Sequence, residues 1–153
     1  MLQGEDIMPT SIVITCPSCG SGNRIPPEKE GKHGRCGNCQ AALPLMYRSP
    51  HQLDSGSFET FLANYSGPVL AEFWAPWCPH CVSYAPTVRT VAEKLAGKAA
   101  IVQINTQENP ALASRFGVQG IPVIMLLRNG RVVDQLAGVR SVEAIMAWFR
   151  RYA

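Results

Sequence analysis

Residues 68–86 read PVLAEFWAPWCPHCVSYAP. The first eight are almost continuously apolar, interrupted only by Glu72. A short apolar run of this kind is expected of a strand buried on both faces. Beyond it, Ala85, Val88, Val91, Ala92 and Leu95 form one stripe at helical spacing, and Gly97 suits the helix C-terminus. Pro86 falls inside that helix and should kink it. A strand that feeds a helix puts Cys78 at the helix N-terminus, where unpaired N–H groups and the dipole favour a thiolate. Cys78 and Cys81 stand two residues apart, and no second pair of ligands lies near them in sequence. The spacing therefore predicts a redox-active dithiol. The competing arrangement, a structural disulfide, would close a tiny loop and stabilise little.

Helix and strand signals alternate on both sides of this unit. Phe58, Phe61, Leu62 and Tyr65 predict a helix over 58–65. AAIVQINT (99–106) is a strand. Asn109, Pro110 and Gly117 cap, open and end a short helix. VIMLLRNGRVVDQLAG (123–138) is a hairpin, because Asn129-Gly130 suits a two-residue turn. Val142, Ile145, Met146 and Phe149 line a closing helix. The order α-β-α-β-α-β-β-α predicts an α/β fold, a mixed sheet with helices on both sides.

The first 45 residues differ. CPSCGSGNRIPPEKEGKHGRCGNC (16–39) is rich in Gly, Pro and charge and poor in large apolar side chains. So short a piece needs a staple. Cys16-x2-Cys19 and Cys36-x2-Cys39 are separated by 16 residues, the spacing of a four-cysteine zinc site. Four thiolates close a tetrahedral shell, and metal binding supplies folding energy that the module lacks. Gly20 and Gly37 are the expected tight-turn residues. Two disulfides or four free thiols are the alternative. His33 is a possible competing ligand, though a solvated loop position suits it better. YRSPHQLDSGS (47–57) has linker composition. The reading divides the chain into a zinc module (1–45), a linker (46–52) and a second domain (53–153).

Composition narrows the function. The chain has 153 residues, a net charge of +3 and no run of 18 apolar residues, so neither nucleic acid nor a membrane is an expected partner. Residues 1–45 hold four Lys/Arg and four Asp/Glu, which argues against a nucleic-acid-binding ribbon. The N-terminal stretch lacks a basic leader and an apolar core, so a cytoplasmic location is expected.

VLAEFWAPWCPHC (69–81), GIPV (120–123), RNGRVVDQLAG (128–138) and the closing helix resemble the thioredoxin family over about residues 53–153. The four-cysteine module resembles that of its zinc-carrying bacterial class, thioredoxin 2. The resemblance implies a central mixed sheet, a Cys78–Cys81 redox disulfide, a surface-exposed nucleophile at Cys78 and a more buried resolving thiol at Cys81. It implies a cis peptide before Pro122, with Ile121 offering its backbone to an extended substrate; an ordinary strand-start proline is the alternative. Disulfide-containing proteins and a thioredoxin reductase are the implied partners.

Three features depart from the family pattern. Pro79-His80 stands where Gly-Pro is usual, Glu72 where Asp is usual, and Gln103 where Lys is usual. Pro-His is the dipeptide of the superfamily's periplasmic oxidases, so a more oxidising exchanger or isomerase is a rival direction. A zinc-thiolate redox sensor or holdase is another. Buried in its strand, Glu72 would take the proton of Cys81 as a general base; at an exposed sheet end it would be inert. His80 in the first helical turn, when cationic, would favour the Cys78 thiolate. Trp77 and Pro79 would form docking surface beside the site, although Trp77 could equally be plain packing.

Overall fold

The computed structural model describes residues 12–26, 34–44, 47–65 and 67–152. His33 and residues 1–11 of the N-terminal stretch weighed for a leader lie outside them. The elements in chain order are β1 (Ile12–Thr15), β2 (Gly22–Ile25), β3 (His51–Leu53), α1 (Ser55–Asn64), β4 (Val69–Trp74) and α2 (Pro79–Leu95). There follow β5 (Ala100–Asn105), α3 (Pro110–Arg115), β6 (Val123–Arg128), β7 (Arg131–Ala137) and α4 (Val142–Arg150).

A five-stranded sheet of order β3-β5-β4-β6-β7 carries the larger unit. β4 lies at its centre, parallel to β5 and antiparallel to β6. β3 is parallel to β5, and β7 closes the other edge antiparallel to β6. Strand alternation assigns the two faces. Val69, Ala71 and Phe73 of β4 pack with Phe58, Phe61 and Tyr65 of the α1 region. Leu70 faces the other way, into Tyr84, Val88, Val91 and Leu95 of α2 and Ile145, Trp148 and Phe149 of α4. Glu72 shares the parity of Leu70, so the strand period aims it beneath α2.

Most predicted elements are present, with Asn129 and Gly130 both at positive φ in the β6–β7 turn. Four readings change. The sheet has a fifth strand, β3, so His51 and Gln52 belong to the sheet although their surroundings have linker composition. Tyr47, from the same stretch, is buried with edge-on contacts to His51, Phe61 and Tyr65. α1 starts three residues earlier than its apolar stripe, because Asp54 and Ser57 form a capping box. Asn109 sits at the N-cap of α3 but makes no side-chain cap. Its Oδ1 accepts instead from the Ser55 N–H and hydroxyl, tying α3 to α1.

β1 and β2 form a separate antiparallel pair. Ile14 and Ile25 from this pair pack against the α1-side core of the larger unit.

Candidate functional site

The turn from β4 to α2 builds the dithiol site. Cys78 is the N-cap of α2 and Pro79 opens the helix, a position where its missing N–H is no loss. The Cys78 sulfur accepts the Cys81 backbone N–H at 3.2 Å, in the place where an N-cap oxygen usually stands. The helix end thus donates to the sulfur that the sequence picks out.

Cys78 is not the exposed member of the pair. Both cysteines are 4% exposed, since Ala75, Trp74 and Ile121 pack around them. Access comes from the rim, where Trp77 is 66% and Val82 60% exposed, and Pro76, Pro79 and His80 are exposed as well. The Ile121–Pro122 peptide is cis, as the resemblance implies. The Ile121 N–H and C=O make no hydrogen bond to another described residue. The two residues also wall a groove of about 280 Å³ that runs on to Gly138.

Glu72 is 1% exposed, which removes the alternative of an exposed sheet end. Burial pushes its carboxyl up to about 7, against a lowering hydrogen bond from Gln103. Burial likewise pushes the Cys81 thiol up to about 12, with the Cys78 sulfur and the Glu72 charge adding to the rise. Glu72 and Cys81 line one cavity of about 260 Å³, together with Gln52, Trp74, Val82, Ala85 and Gln103. The buried Trp74 indole N–H has no hydrogen-bond partner among the described residues. Sequence reasoning missed Gln52. Its only signal is parity: it stands opposite Gln103, which stands opposite Glu72, and the strand that carries it is three residues long.

The N-terminal cysteines converge. Their four sulfurs lie within 4.8 Å of one another. Cys16 and Cys39 sulfurs are 3.6 Å apart, as are Cys19 and Cys36. A tetrahedron with Zn–S bonds of about 2.3 Å needs sulfurs about 3.8 Å apart, so the donor set fits such an ion. Two matching knuckles produce the cluster. Cys16 O accepts from Gly20 N–H and Cys36 O from Gln40 N–H, while Ser18 and Asn38 N–H donate to the Cys16 and Cys36 sulfurs. Gly20 and Gln40 are the left-handed residues, at φ 79° and 68°. The expectation of Gly37 is corrected: it precedes the strained position by three residues, and its N–H is spent on Asn23 Oδ1. The Asn38 side chain, with Ser21, holds the Cys19 thiol down to about 5. Backbone N–H groups of Cys39 and Asn38 lower Cys36.

A mixed sheet, a Cys-x2-Cys at the strand-to-helix turn and the Ile121–Pro122 loop packed against it define a thiol–disulfide oxidoreductase. Comparison with known proteins gives the family. The thioredoxin family model matches residues 49–151, and a zinc-ribbon model described as "Thioredoxin 2, N-terminal" matches residues 15–41. Thioredoxin C-3 of Corynebacterium nephridii is 36% identical over 138 residues, 90% of this chain and 92% of its own length. Thioredoxin 1 of Nostoc sp. is 39% identical over 87 residues, 57% of this chain and 81% of its own. A mutant thioredoxin of Halobacterium salinarum NRC-1 has a similar structure, with a TM-score of 0.64 at 30% identity, over 71% of this chain and 95% of that one. The chain belongs to the thioredoxin family and carries the N-terminal module of its thioredoxin 2 class.

Proposed function

We propose that the chain reduces disulfides of cytoplasmic proteins through Cys78 and Cys81 and is itself reduced by a thioredoxin reductase. The observation that carries this reading is the Cys78 sulfur at the α2 N-cap, accepting the Cys81 N–H, with Cys81 and Glu72 in one cavity beneath it. No described helix is long and apolar enough to cross a membrane.

The Cys78 thiolate attacks one sulfur of a substrate disulfide. The substrate S–S bond breaks, one substrate thiolate leaves, and a mixed disulfide forms on Cys78. Cys81 then gives its proton to the Glu72 carboxylate, directly or through water. The resulting thiolate attacks the Cys78 sulfur, expels the second substrate thiolate and closes the Cys78–Cys81 disulfide. A thiol held up at about 12 cannot ionise unaided at neutral pH, and a carboxylate near 7 is matched to take its proton. The exposed Trp77, Pro79 and Val82 supply an apolar docking rim, and the free peptide groups of Ile121 suit an extended substrate segment.

Cys16, Cys19, Cys36 and Cys39 would hold one zinc ion. Bound there, zinc supplies folding energy to the module and takes no part in the exchange.

The test is trapping. Cys78→Ser should abolish disulfide reduction, whereas Cys81→Ser should accumulate mixed disulfides with substrate proteins. Turnover by the Cys78 variant, with no trapped partners on the Cys81 variant, would reverse the two roles.

A further inference from the structure

We infer that Gln52 is a positioning residue for Glu72, acting through Gln103: the three side chains form a one-way row of donors across β3, β5 and β4. This inference rests on the proposed use of Glu72 as the base for Cys81.

Strand register creates the row. Gln52 stands opposite Gln103 on parallel neighbours, and Gln103 stands opposite Glu72 on the next pair. Gln52 Nε2 donates to Gln103 Oε1 at 2.5 Å, and Gln103 Nε2 donates to Glu72 Oε1 at 2.7 Å. Gln52 is exposed and Glu72 buried, so the row runs from solvent to the interior.

An amide has a donor end and an acceptor end. If Gln103 turned over, its carbonyl would meet the carboxylate and repel the ionised form. The Gln52 N–H opposes that turn, because Gln103 could then turn only if Gln52 turned with it. Gln52 therefore holds the donor end toward Glu72 without touching the sulfurs. Oε1 remains an acceptor whether or not Oε2 carries a proton, so the row survives both states of the base.

Among the described residues no other side chain donates a hydrogen bond to the carboxylate. Cys81, which lines the same cavity, and Tyr84, also of α2, both feel its charge, and both are pushed up to about 12, hence uncharged at neutral pH. Ile124 of β6 faces it from the other neighbouring strand and is apolar. The cavity that holds Glu72 is also lined by Trp74, Val82 and Ala85, none of which titrates. One amide is thus the main polar partner of a buried carboxyl, and its direction decides which protonation state is favoured.

The test uses Gln52→Met, which keeps length and neutrality and removes the donor. The carboxyl C=O stretch of Glu72, identified by its loss in Glu72→Gln, is titrated by difference infrared spectroscopy on the reduced full-length protein. The midpoint should rise, by up to about 0.5–1 pH unit, the size of one whole net hydrogen bond. The acid limb of the mixed-disulfide resolution rate should move by the same amount. Gln52→Lys, whose ammonium group only donates, should restore the wild-type midpoint at high salt, where its charge is screened. An unchanged midpoint in Gln52→Met, or the same upward shift in both variants, would overturn the inference. The base assignment fails separately, if Glu72→Gln leaves the pH dependence of resolution intact; the infrared midpoint still judges Gln52 in that event.

Discussion

Glu72 and Gln103 stand in register on adjacent parallel strands, and the amide of one donates to the carboxylate of the other at 2.7 Å. A single neutral hydrogen bond does not offset the removal of a carboxylate from water. The carboxyl is accordingly held up at about 7 rather than its ordinary 4.5. Native Glu72 keeps a proton that the unfolded chain loses between those two values. Its contribution is therefore fully present below about pH 4.5 and is lost as pH rises through about 7. Glu72→Gln should gain about 2–4 kcal/mol on the wild type between pH 5 and pH 8, most of it before pH 7.5. Urea unfolding of the reduced proteins at several pH values measures this. Parallel stability curves would show that Glu72 does not titrate in that range.

The same carboxyl should matter unequally to the two chemical steps. Glu72→Ala removes the proposed acceptor of the Cys81 proton and leaves the Cys78 N-cap untouched. Decay of the mixed disulfide should slow by about 10²–10⁴-fold, the usual worth of a general base, while first attack changes little. Stopped-flow measurement of the two phases separates them. Equal slowing would assign Glu72 a packing role only.

The zinc module should carry one metal ion per chain, measured by elemental analysis of protein purified under reducing conditions. Cys16→Ser or Cys36→Ser should release it. Chelation should unfold residues 12–26 and 34–44 in hydrogen exchange yet leave most exchange activity, because the dithiol site has its own core. Ile14 and Ile25 lie against that core, so chelation should also lower the midpoint of the larger unit by a few degrees. A metal-free chain with two N-terminal disulfides would refute the assignment.

What was legible in the sequence followed from period and spacing. β4, α2 and the β6–β7 hairpin announce themselves because each is long, apolar and punctuated by Pro, Gly or Asn-Gly. The four-cysteine cluster is legible because ligand spacing is a covalent property of the chain. β3 is not: three residues, His51–Leu53, give no alternation to detect, and Pro50 and Asp54 beside them read as loop. Missing β3 hid Gln52, since a residue's neighbours across a sheet depend on register and not on sequence distance. The burial of Cys78 was hidden for a similar reason. It depends on Ile121, which lies 43 positions along the chain and reaches the site only through the loop before β6. Gln40 was overlooked because an internal match between the two knuckles, not residue type, marks it as the left-handed position.

Tyr47 and β3 make the domain boundary testable. Tyr47 is 3% exposed and packs on Phe61 and Tyr65, so Tyr47→Ala should cost about 3–4 kcal/mol. A fragment of residues 47–153 should accordingly unfold at higher urea than one of residues 53–153, which also loses most of β3. Equal midpoints would place the boundary at residue 53 and leave Tyr47 as an accessory contact.

The Pro79-His80 dipeptide should set the redox poise. Both residues are exposed in the first turn of α2, beside the N-cap sulfur, and Ser83 donates to the His80 carbonyl at 3.0 Å. Among the described residues the Cys78 sulfur takes its hydrogen bond from Cys81 N–H and none from the imidazole. Any effect of His80 therefore acts through its field. Protonated imidazole near the helix end favours thiolate over thiol, which stabilises the reduced protein and makes the disulfide a stronger oxidant. Thioredoxin at about −270 mV and the strong periplasmic oxidase at about −120 mV bracket the superfamily. Without a direct bond to the sulfur, the dipeptide should cover only part of that interval. The expected potential lies between the two, nearer the reducing end. Pro79→Gly combined with His80→Pro should lower the potential by tens of millivolts, where 30 mV is about 1.4 kcal/mol for the two-electron couple. Equilibration with glutathione buffers, read by alkylation of Cys78 and Cys81, gives the number. A double variant with an unchanged potential would free the dipeptide of this role and turn attention to the row of Gln52, Gln103 and Glu72.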